Sequence, residues 1–275
     1  MTLTRGEILE LLERHQVRPS RALGQNFVAD ANTVRRIARL ADVGSGDRVV
    51  EVGAGLGSLT LALAETGASV TAVETDRYLV PVLRSVVEGR EVEVVEGDAL
   101  RLDWGALLGD ERWVLVANLP YNIATPLVLD LLEGVPAIER MLVMVQREVA
   151  ERLVAAAGAS ARGAVSVKTE YWARSSLVGR VPATVFVPRP KVESELVRLV
   201  RHAAPVVDVD RVELFRLVDT GFGQRRKMLR RSLVGIVDAA CFESAGVAPT
   251  ARPEELTLEE WARLARCVSR TPPPS

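Results

Sequence analysis

The 275-residue chain has two cysteines, Cys241 and Cys267, and two histidines, His15 and His202. The cysteines lie far apart. They make no metal-ligand pattern and suggest no disulfide framework. Neither histidine falls in any motif described below, so both read as structural or surface residues, and no metal is expected. No apolar stretch approaches the length of a membrane span, because Arg, Asp or Glu interrupts every one. The opening residues, Met1-Thr-Leu-Thr-Arg-Gly-Glu7, lack an apolar signal core. A cytoplasmic, monomeric protein is the simplest expectation. Net charge is −1 and the pI about 6.2. That excludes bulk attraction to a polyanion, so any nucleic-acid contact must rest on a local patch. No internal repeat is present.

Such a patch exists. Arg225-Arg226-Lys227-Met-Leu-Arg230-Arg231 packs five cations into seven residues. Arg14, Arg18 and Arg21 form a looser set, and Arg35, Arg36 and Arg39 another. A solvated helix face is the bland reading of each; phosphate contact is the functional one.

Apolar spacing predicts helices over 6–15 and 30–40, with 18–27 a loop between them. From residue 48 short β-branched runs, at 48–52, 70–74, 92–95, 113–117 and 140–145, alternate with helical stretches at 57–66, 76–88, 125–133 and 147–157. Further strands are predicted near 176–181 and 195–200. This alternation implies βαβ units and a mostly parallel sheet. Past Pro205 the character is helical only, at 208–221, 224–236 and 256–268, and the Pro272-Pro-Pro-Ser275 tail reads as disordered. The expected division is an N-terminal helical segment (1–45), an α/β domain (46–204) and an all-α domain (205–275).

The chemistry-bearing residues fall where predicted strands end. Val49-Val-Glu-Val-Gly53-Ala-Gly55-Leu-Gly57 is a strand running into a glycine turn and a helix. Such a turn lets backbone approach a ligand closely. Glu74, twenty-one residues past Gly53, stands at the next strand's tip, where a carboxylate can accept from ribose hydroxyls. Ser58 occupies the place of the third glycine of a dinucleotide fingerprint. An S-adenosylmethionine site and a dinucleotide site both stay open on this loop, as does a ligand-free turn. Glu96-Gly-Asp98-Ala99 follows the third strand. Asp98 can accept from an adenine amine or simply cap a turn. Asn118-Leu119-Pro120-Tyr121 ends the apolar run Trp113–Ala117. A polar amide, a rigid proline and an aromatic ring are poor core residues but suit a flat nitrogen base.

Gly24-Gln-Asn26-Phe27, the Glu51–Gly57 loop with Glu74 and Asp98, Asn118–Asn122, and Phe186-Val-Pro-Arg-Pro-Lys-Val-Glu-Ser194 align in order with one family. The chain resembles the small-subunit ribosomal RNA adenine N6,N6-dimethyltransferases from about residue 15 to 268. Gln146–Arg152 and Phe222–Lys227 resemble this branch rather than the related large-subunit methylases. The resemblance implies a Rossmann-like class I methyltransferase fold with a seven-stranded sheet and a small all-α domain. It implies S-adenosylmethionine as cofactor, held by Asn26, Val28, Gly53, Gly55, Glu74, Asp98, Ala99 and Asn118. It places the target adenine at Asn118, Leu119, Pro120 and Tyr121, with Phe186 as a second stacking wall. It assigns RNA contacts to Arg225, Arg226, Lys227, Arg230 and Arg231. Two departures stand out: Ala54 where many relatives carry Pro, and the extra Gly57.

An adenine N6 amine is a weak nucleophile because its lone pair is delocalised. Acceptors for its two N–H groups, from the Asn118 amide and the carbonyl of Leu119 or Pro120, favour a pyramidal transition state. A base reaches such a pocket only unstacked, so a loop target follows. The implied substrate is a pair of adjacent adenines in a hairpin loop near the 3′ end of small-subunit rRNA, within a 30S ribosomal particle. Three competing readings are a macrolide-resistance methylase of large-subunit rRNA, a non-catalytic assembly factor, and a nicotinamide oxidoreductase.

Overall fold

The computed structural model describes residues 2–20 and 23–270. Arg21 and the Pro272–Ser275 tail lie outside the described residues. The chain divides into two compact units, the first comprising residues up to 150 with Ser176–Arg201, the second Glu151–Ser175 with everything from His202 on.

The first unit opens with α1 (Arg5–Arg14), β1 (Phe27–Val28) and α2 (Ala31–Ala41). Asp30 caps α2, accepting from Thr33 N at 2.6 Å, and Val34, Ile37, Ala38 and Ala41 form its buried stripe. There follow β2 (Arg48–Val52), α3 (Ser58–Ala64), β3 (Ser69–Glu74), α4 (Val80–Val86), β4 (Val92–Glu96), α5 (Trp104–Leu108), β5 (Trp113–Asn118), α6 (Ala124–Gly134), β6 (Ile138–Gln146) and α7 (Arg147–Val154). After α8 (Ala164–Trp172) come β7 (Ala173–Val181), β8 (Phe186–Val187) and β9 (Ser194–Arg201).

Seven strands form one sheet in the order β4-β3-β2-β5-β6-β9-β7. β2 to β6 pair in parallel and β9 runs antiparallel to β6. The predicted strand positions hold to within a few residues. β2, β3 and β5 are buried almost end to end, as parallel strands covered on both faces must be. Strand order reverses between β2 and β5: β3 and β4 extend outward on one side, β6 on the other. A crevice opens at such a switch point, outside the carboxyl ends of the strands.

A second pairing was not legible in the sequence. β1 and β8 form a two-stranded antiparallel ribbon, with Phe27 opposite Val187 and Val28 opposite Phe186. Two residues per strand are too few to show a period, so the predicted loop at 18–27 ends in a strand.

In the second unit, α9 (Arg211–Gly223), α10 (Leu229–Ser232), α11 (Ala239–Ala245) and α12 (Leu258–Arg270) surround a core that includes Trp261 and Phe242. Trp261 has no exposed surface, and a Cβ at Gly221 would stand 2.6 Å from its ring. Gly221 thus permits the close approach of α9 to α12. Tyr171 of α8 meets Phe215 edge-on at 5.3 Å. This apolar face of α8 is why 151–175 pack here and not with the 46–204 block. Residues 2–20, expected as part of a separate segment, likewise belong to the first unit. The predicted helix at 224–236 reduces to turns and the short α10, because Met228 is extended (φ −64°, ψ 149°). Cys241 and Cys267, expected to be unpaired, are disulfide-bonded with Cα atoms 5.7 Å apart. The 26-residue separation hides that α11 and α12 lie side by side.

Arg201 ends β9 and ties it to α6. Its guanidinium donates to the carbonyls of Leu132 (2.6 Å), Leu131, Val135 and Ile138 (3.0 Å each). One of them, the Leu132 carbonyl, has no helical partner, because the residue four places on is Pro136; the Leu131 carbonyl also accepts Val135 N and the Val135 carbonyl Ile138 N. Lysine has three donors on one atom and cannot match a planar fork. Arg201→Lys should destabilise the protein by about 1–3 kcal/mol, because it takes from the Leu132 carbonyl its donor and breaks the fork that joins β9 to α6. Urea unfolding measures this; a change under about 0.5 kcal/mol would mean water replaces the fork.

Candidate active site

The crevice predicted by strand order is a cavity of about 800 Å³ including its mouth. Its lining comes from the carboxyl ends of four adjacent strands: Gly53 and Gly55 after β2, Glu74 on β3, Asp98 and Ala99 after β4, and Asn118 and Pro120 at β5. Asn26 and Val28 line it from the segment at β1. Every residue expected to hold cofactor therefore meets in one place.

The glycine turn works as close-packed backbone. Gly53, Gly55 and Gly57 all have positive φ, at 72°, 59° and 86°. A Cβ at Gly55 would lie 2.9 Å from the Phe27 ring, which packs over the turn. Gly57 does not line the cavity. A Cβ there would stand 2.9 Å from Leu83 Cδ1, so the extra glycine serves packing against α4.

Glu74 is buried and accepts two backbone N–H groups, Gly55 N to Oε2 at 2.7 Å and Asp76 N to Oε1 at 2.8 Å. Burial pushes its carboxyl up and those two bonds oppose the rise. Asp98 is exposed and oriented by Leu100 N, which donates to Oδ1 at 3.0 Å. The indole of Trp104 donates to the Ala99 carbonyl at 3.0 Å and fixes the backbone there.

Sequence reasoning passes over Glu51. It lines the cavity, is 2% exposed, and its Oε2 has no hydrogen-bond partner. Loss of solvation, with a smaller contribution from Glu74, pushes its carboxyl up to about 8, against the opposing Thr60 hydroxyl. A lone acid inside the apolar run Val49–Val52 is the available signal. A buried orphan oxygen facing a cavity is the feature of a site built for a cationic or donor group.

At the other end, the Asn118 amide is fixed by its nitrogen: Nδ2 donates to the Asn26 carbonyl at 3.0 Å. Oδ1 is left as the acceptor. The Pro120 carbonyl already accepts Ile123 N and Ala124 N, both at 3.1 Å, where α6 begins. No hydrogen bond among the described residues uses the carbonyl of Leu119, the next residue in the chain. Tyr121 is half-buried, its hydroxyl 3.3 Å from Ser194 Oγ. Phe186 departs from expectation. It has no exposed surface and sits in the core with Val28, Met144 and Leu196. It stands opposite Val28 in the β1–β8 pairing, within that core rather than on an open surface.

In the second unit the basic cluster splits. Arg225 donates to the Ser160 carbonyl and pairs with Glu254 at 3.8 Å; Lys227 donates to Gln224 Oε1 at 2.7 Å. Arg226, Arg230 and Arg231 are exposed, and their side chains make no hydrogen bond or ion pair among the described residues. Of the other arginines, Arg14 pairs with Glu10, Arg35 with Glu65 at 3.8 Å, and Arg36 donates to the Arg180 carbonyl at 2.9 Å. Among the described residues no cluster of three metal-ligating side chains occurs, and no helix is long and apolar enough to cross a membrane.

Comparison with known proteins agrees with this geometry. Residues 16–269 match the family model for ribosomal RNA adenine dimethylase. The chain is 46% identical to the ribosomal RNA small subunit methyltransferase A of Cutibacterium acnes, over 98% of this chain and 95% of that one. It is 46% identical to the protein of the same name from Streptomyces coelicolor, over 94% of each. Among solved structures, the 23S rRNA methyltransferase ErmE superposes with a TM-score of 0.70 at 29% identity, covering 89% of this chain and all of that one. A dimethyladenosine transferase from Plasmodium falciparum gives 0.71 at 24%, covering 86% and 94%, and supports the fold. The sheet is that of a Rossmann-like methyltransferase, and the chain belongs to the ribosomal RNA adenine dimethylase family, enzymes that methylate rRNA.

Proposed function

We propose that the protein uses S-adenosylmethionine to convert two adjacent adenines, in the 3′-terminal hairpin loop of small-subunit rRNA, to N6,N6-dimethyladenine. The substrate is a 30S ribosomal particle, and the enzyme acts as a cytoplasmic monomer. The observation that carries the reading is the cavity-lining Asn118 amide, whose nitrogen is taken by the Asn26 carbonyl so that Oδ1 is left as an acceptor. A neutral acceptor at this strand end matches an N–H group of an exocyclic amine. The names of the small-subunit relatives support the choice of RNA, and they favour it over the large-subunit alternative.

The residues fit the cofactor. Glu74 would hold ribose hydroxyls, Asp98 and Ala99 the adenine, and Gly53, Gly55, Asn26 and Val28 the methionine end. Glu51, with its unpaired oxygen, would face the ammonium. When bound, S-adenosylmethionine supplies a methyl group on a cationic sulfur. Asn118 Oδ1 and Leu119 O accept from the N6 amine and draw its lone pair out of conjugation, an interaction stronger in the transition state than before it. Tyr121 stacks on the base and sets its plane. No strong base is required, since the product ammonium loses its proton to water.

Unmodified small subunits incubated with labelled cofactor, then digested for mass spectrometry, should show dimethyladenine at two adjacent positions. Product confined to large-subunit rRNA would overturn the reading. Asn118→Ala should lower the yield at least about 1,000-fold, a loss larger than any rise in cofactor Kd that comes from freeing the Asn26 carbonyl; a near-normal yield would overturn the role of the amide.

Arg226→Ala, Arg230→Ala and Arg231→Ala together should weaken RNA binding and make the slope of log K against log salt shallower by about 2, since each lost phosphate contact removes roughly 0.7 on single strands. An unchanged slope would return the three arginines to a solvated face.

Glu51 predicts a pH effect. Its folded pKa is raised from 4.5 to about 8. The stability it contributes is therefore full below the unfolded value and is lost as pH rises through the folded one. Melting curves of the cofactor-free protein should show the stability difference between wild type and Glu51→Gln shifting against wild type from about pH 5 to about pH 8. A constant difference across that range would mean the carboxylate is ionised throughout.

A further inference from the structure

The segment that lines the cavity from the N-terminal side, Leu23 to Val28, is fastened at two adjacent residues, Gln25 and Asn26, to different strand ends. One fastening is the Asn118–Asn26 bond. The other is a chain of hydrogen bonds at the opposite side of the cavity. Ser20 N donates to Gln25 Oε1 at 2.7 Å, and Gln25 Nε2 donates to Asp76 Oδ2 at 2.7 Å. Asp76 is itself held, its Oδ1 accepting Tyr78 N at 3.0 Å and its backbone N donating to Glu74 Oε1 at 2.8 Å. Glu74 in turn accepts Gly55 N at 2.7 Å. The strap, the carboxylate at the tip of β3 and the glycine turn are thus one network.

We infer that Gln25 and Asp76 form a latch that holds the 23–28 strap across the cofactor cavity and sets how tightly cofactor is retained. The inference rests on the cofactor reading above. Gln25 is a positioning residue: it acts through the strap backbone and through Asp76. Its amide cannot turn over, because Ser20 N pins Oε1 and leaves only Nε2 for Asp76. The direction of the bond is therefore specified. Gln25→Glu would set one carboxylate against another, and Asp76→Asn would set one amide nitrogen against another. Combining the two substitutions reverses the bond. The new amide nitrogen at position 76 donates to the new carboxylate at position 25, whose other oxygen keeps Ser20 N. Tyr78 N still finds an oxygen.

Two measurements separate this latch from the cofactor reading. In the cofactor-free protein, hydrogen exchange at residues 23–28 should rise in Gln25→Ala and Gln25→Glu and return toward wild type in Gln25→Glu with Asp76→Asn. By calorimetry with S-adenosylhomocysteine, each single variant should raise Kd at least about tenfold, and the reversed pair should restore it to within about threefold. In turnover, the KM for cofactor should rise more than kcat falls. A reversed pair as weak as the worse single variant overturns the latch, as does strap exchange that ignores all three changes. Exchange that follows the pattern in a protein that fails to bind S-adenosylhomocysteine supports the latch and overturns the cofactor reading.

Discussion

The hydrogen bond from Asn118 Nδ2 to the Asn26 carbonyl joins positions 92 residues apart and decides the state of both. It closes the strap over the cavity, and it commits the Asn118 amide to presenting oxygen to the other side. Without it the side chain could offer either a donor or an acceptor, and an amine needs only acceptors. The bond is possible because strand order reverses between β2 and β5. That reversal leaves a gap at the carboxyl edge into which the strap descends, with Phe27 packed over Gly55. The β1–β8 ribbon supplies the remaining anchor, fixing Phe27 and Val28 against the segment that leads to Ser194.

Much of this is legible in the sequence because parallel α/β sheets place their ligands at strand ends. With 48–52, 70–74, 92–95 and 113–117 as strands, Gly53, Glu74, Asp98 and Asn118 have to lie along one edge in the order of the sheet. What is not legible depends on partners far apart in the chain. Gln25 gains its meaning only from Asp76, and Cys241 only from Cys267. Phe186 reads as a free aromatic among prolines, yet its register opposite Val28 buries it. α8 escapes the sequence for a different reason: its period is weak, since Lys168 and Glu170 interrupt the apolar positions that pack on Phe215 and Leu217.

The basic cluster shows where residue counting misleads. Five cations in seven residues read as one patch, yet Arg225 is spent on Ser160 and Glu254, and Lys227 on Gln224. Three arginines remain unpaired among the described residues. Surface ion pairs contribute little to stability, so leaving Arg226, Arg230 and Arg231 unpaired costs the fold little. Clustering like charges on one short segment is unfavourable unless an anion accompanies them. With an overall charge of −1, attraction for a polyanion has to be local, and these three arginines are one place that offers it. On the proposed reading this orients an RNA rather than merely attracting it.

The two ends of the cavity differ in chemistry, and the difference fits a transfer between a cation and a neutral amine. Among the described residues, Glu51, Glu74 and Asp98 are the ionisable side chains of the lining, all on the side that β2, β3 and β4 form. Among the described residues, the β5 end of the lining has the Asn118 amide and no ionisable side chain. A carboxylate at position 118 would attract the sulfonium itself, and would be strongest before methyl transfer, when the cation is intact. An amide oxygen gains most as positive charge moves onto nitrogen, which is the interaction that lowers a barrier. The placement of Glu51 obeys the same logic from the other side. A carboxyl kept neutral by burial adds no charge to the cavity by itself, and it is free to ionise against a cation that arrives.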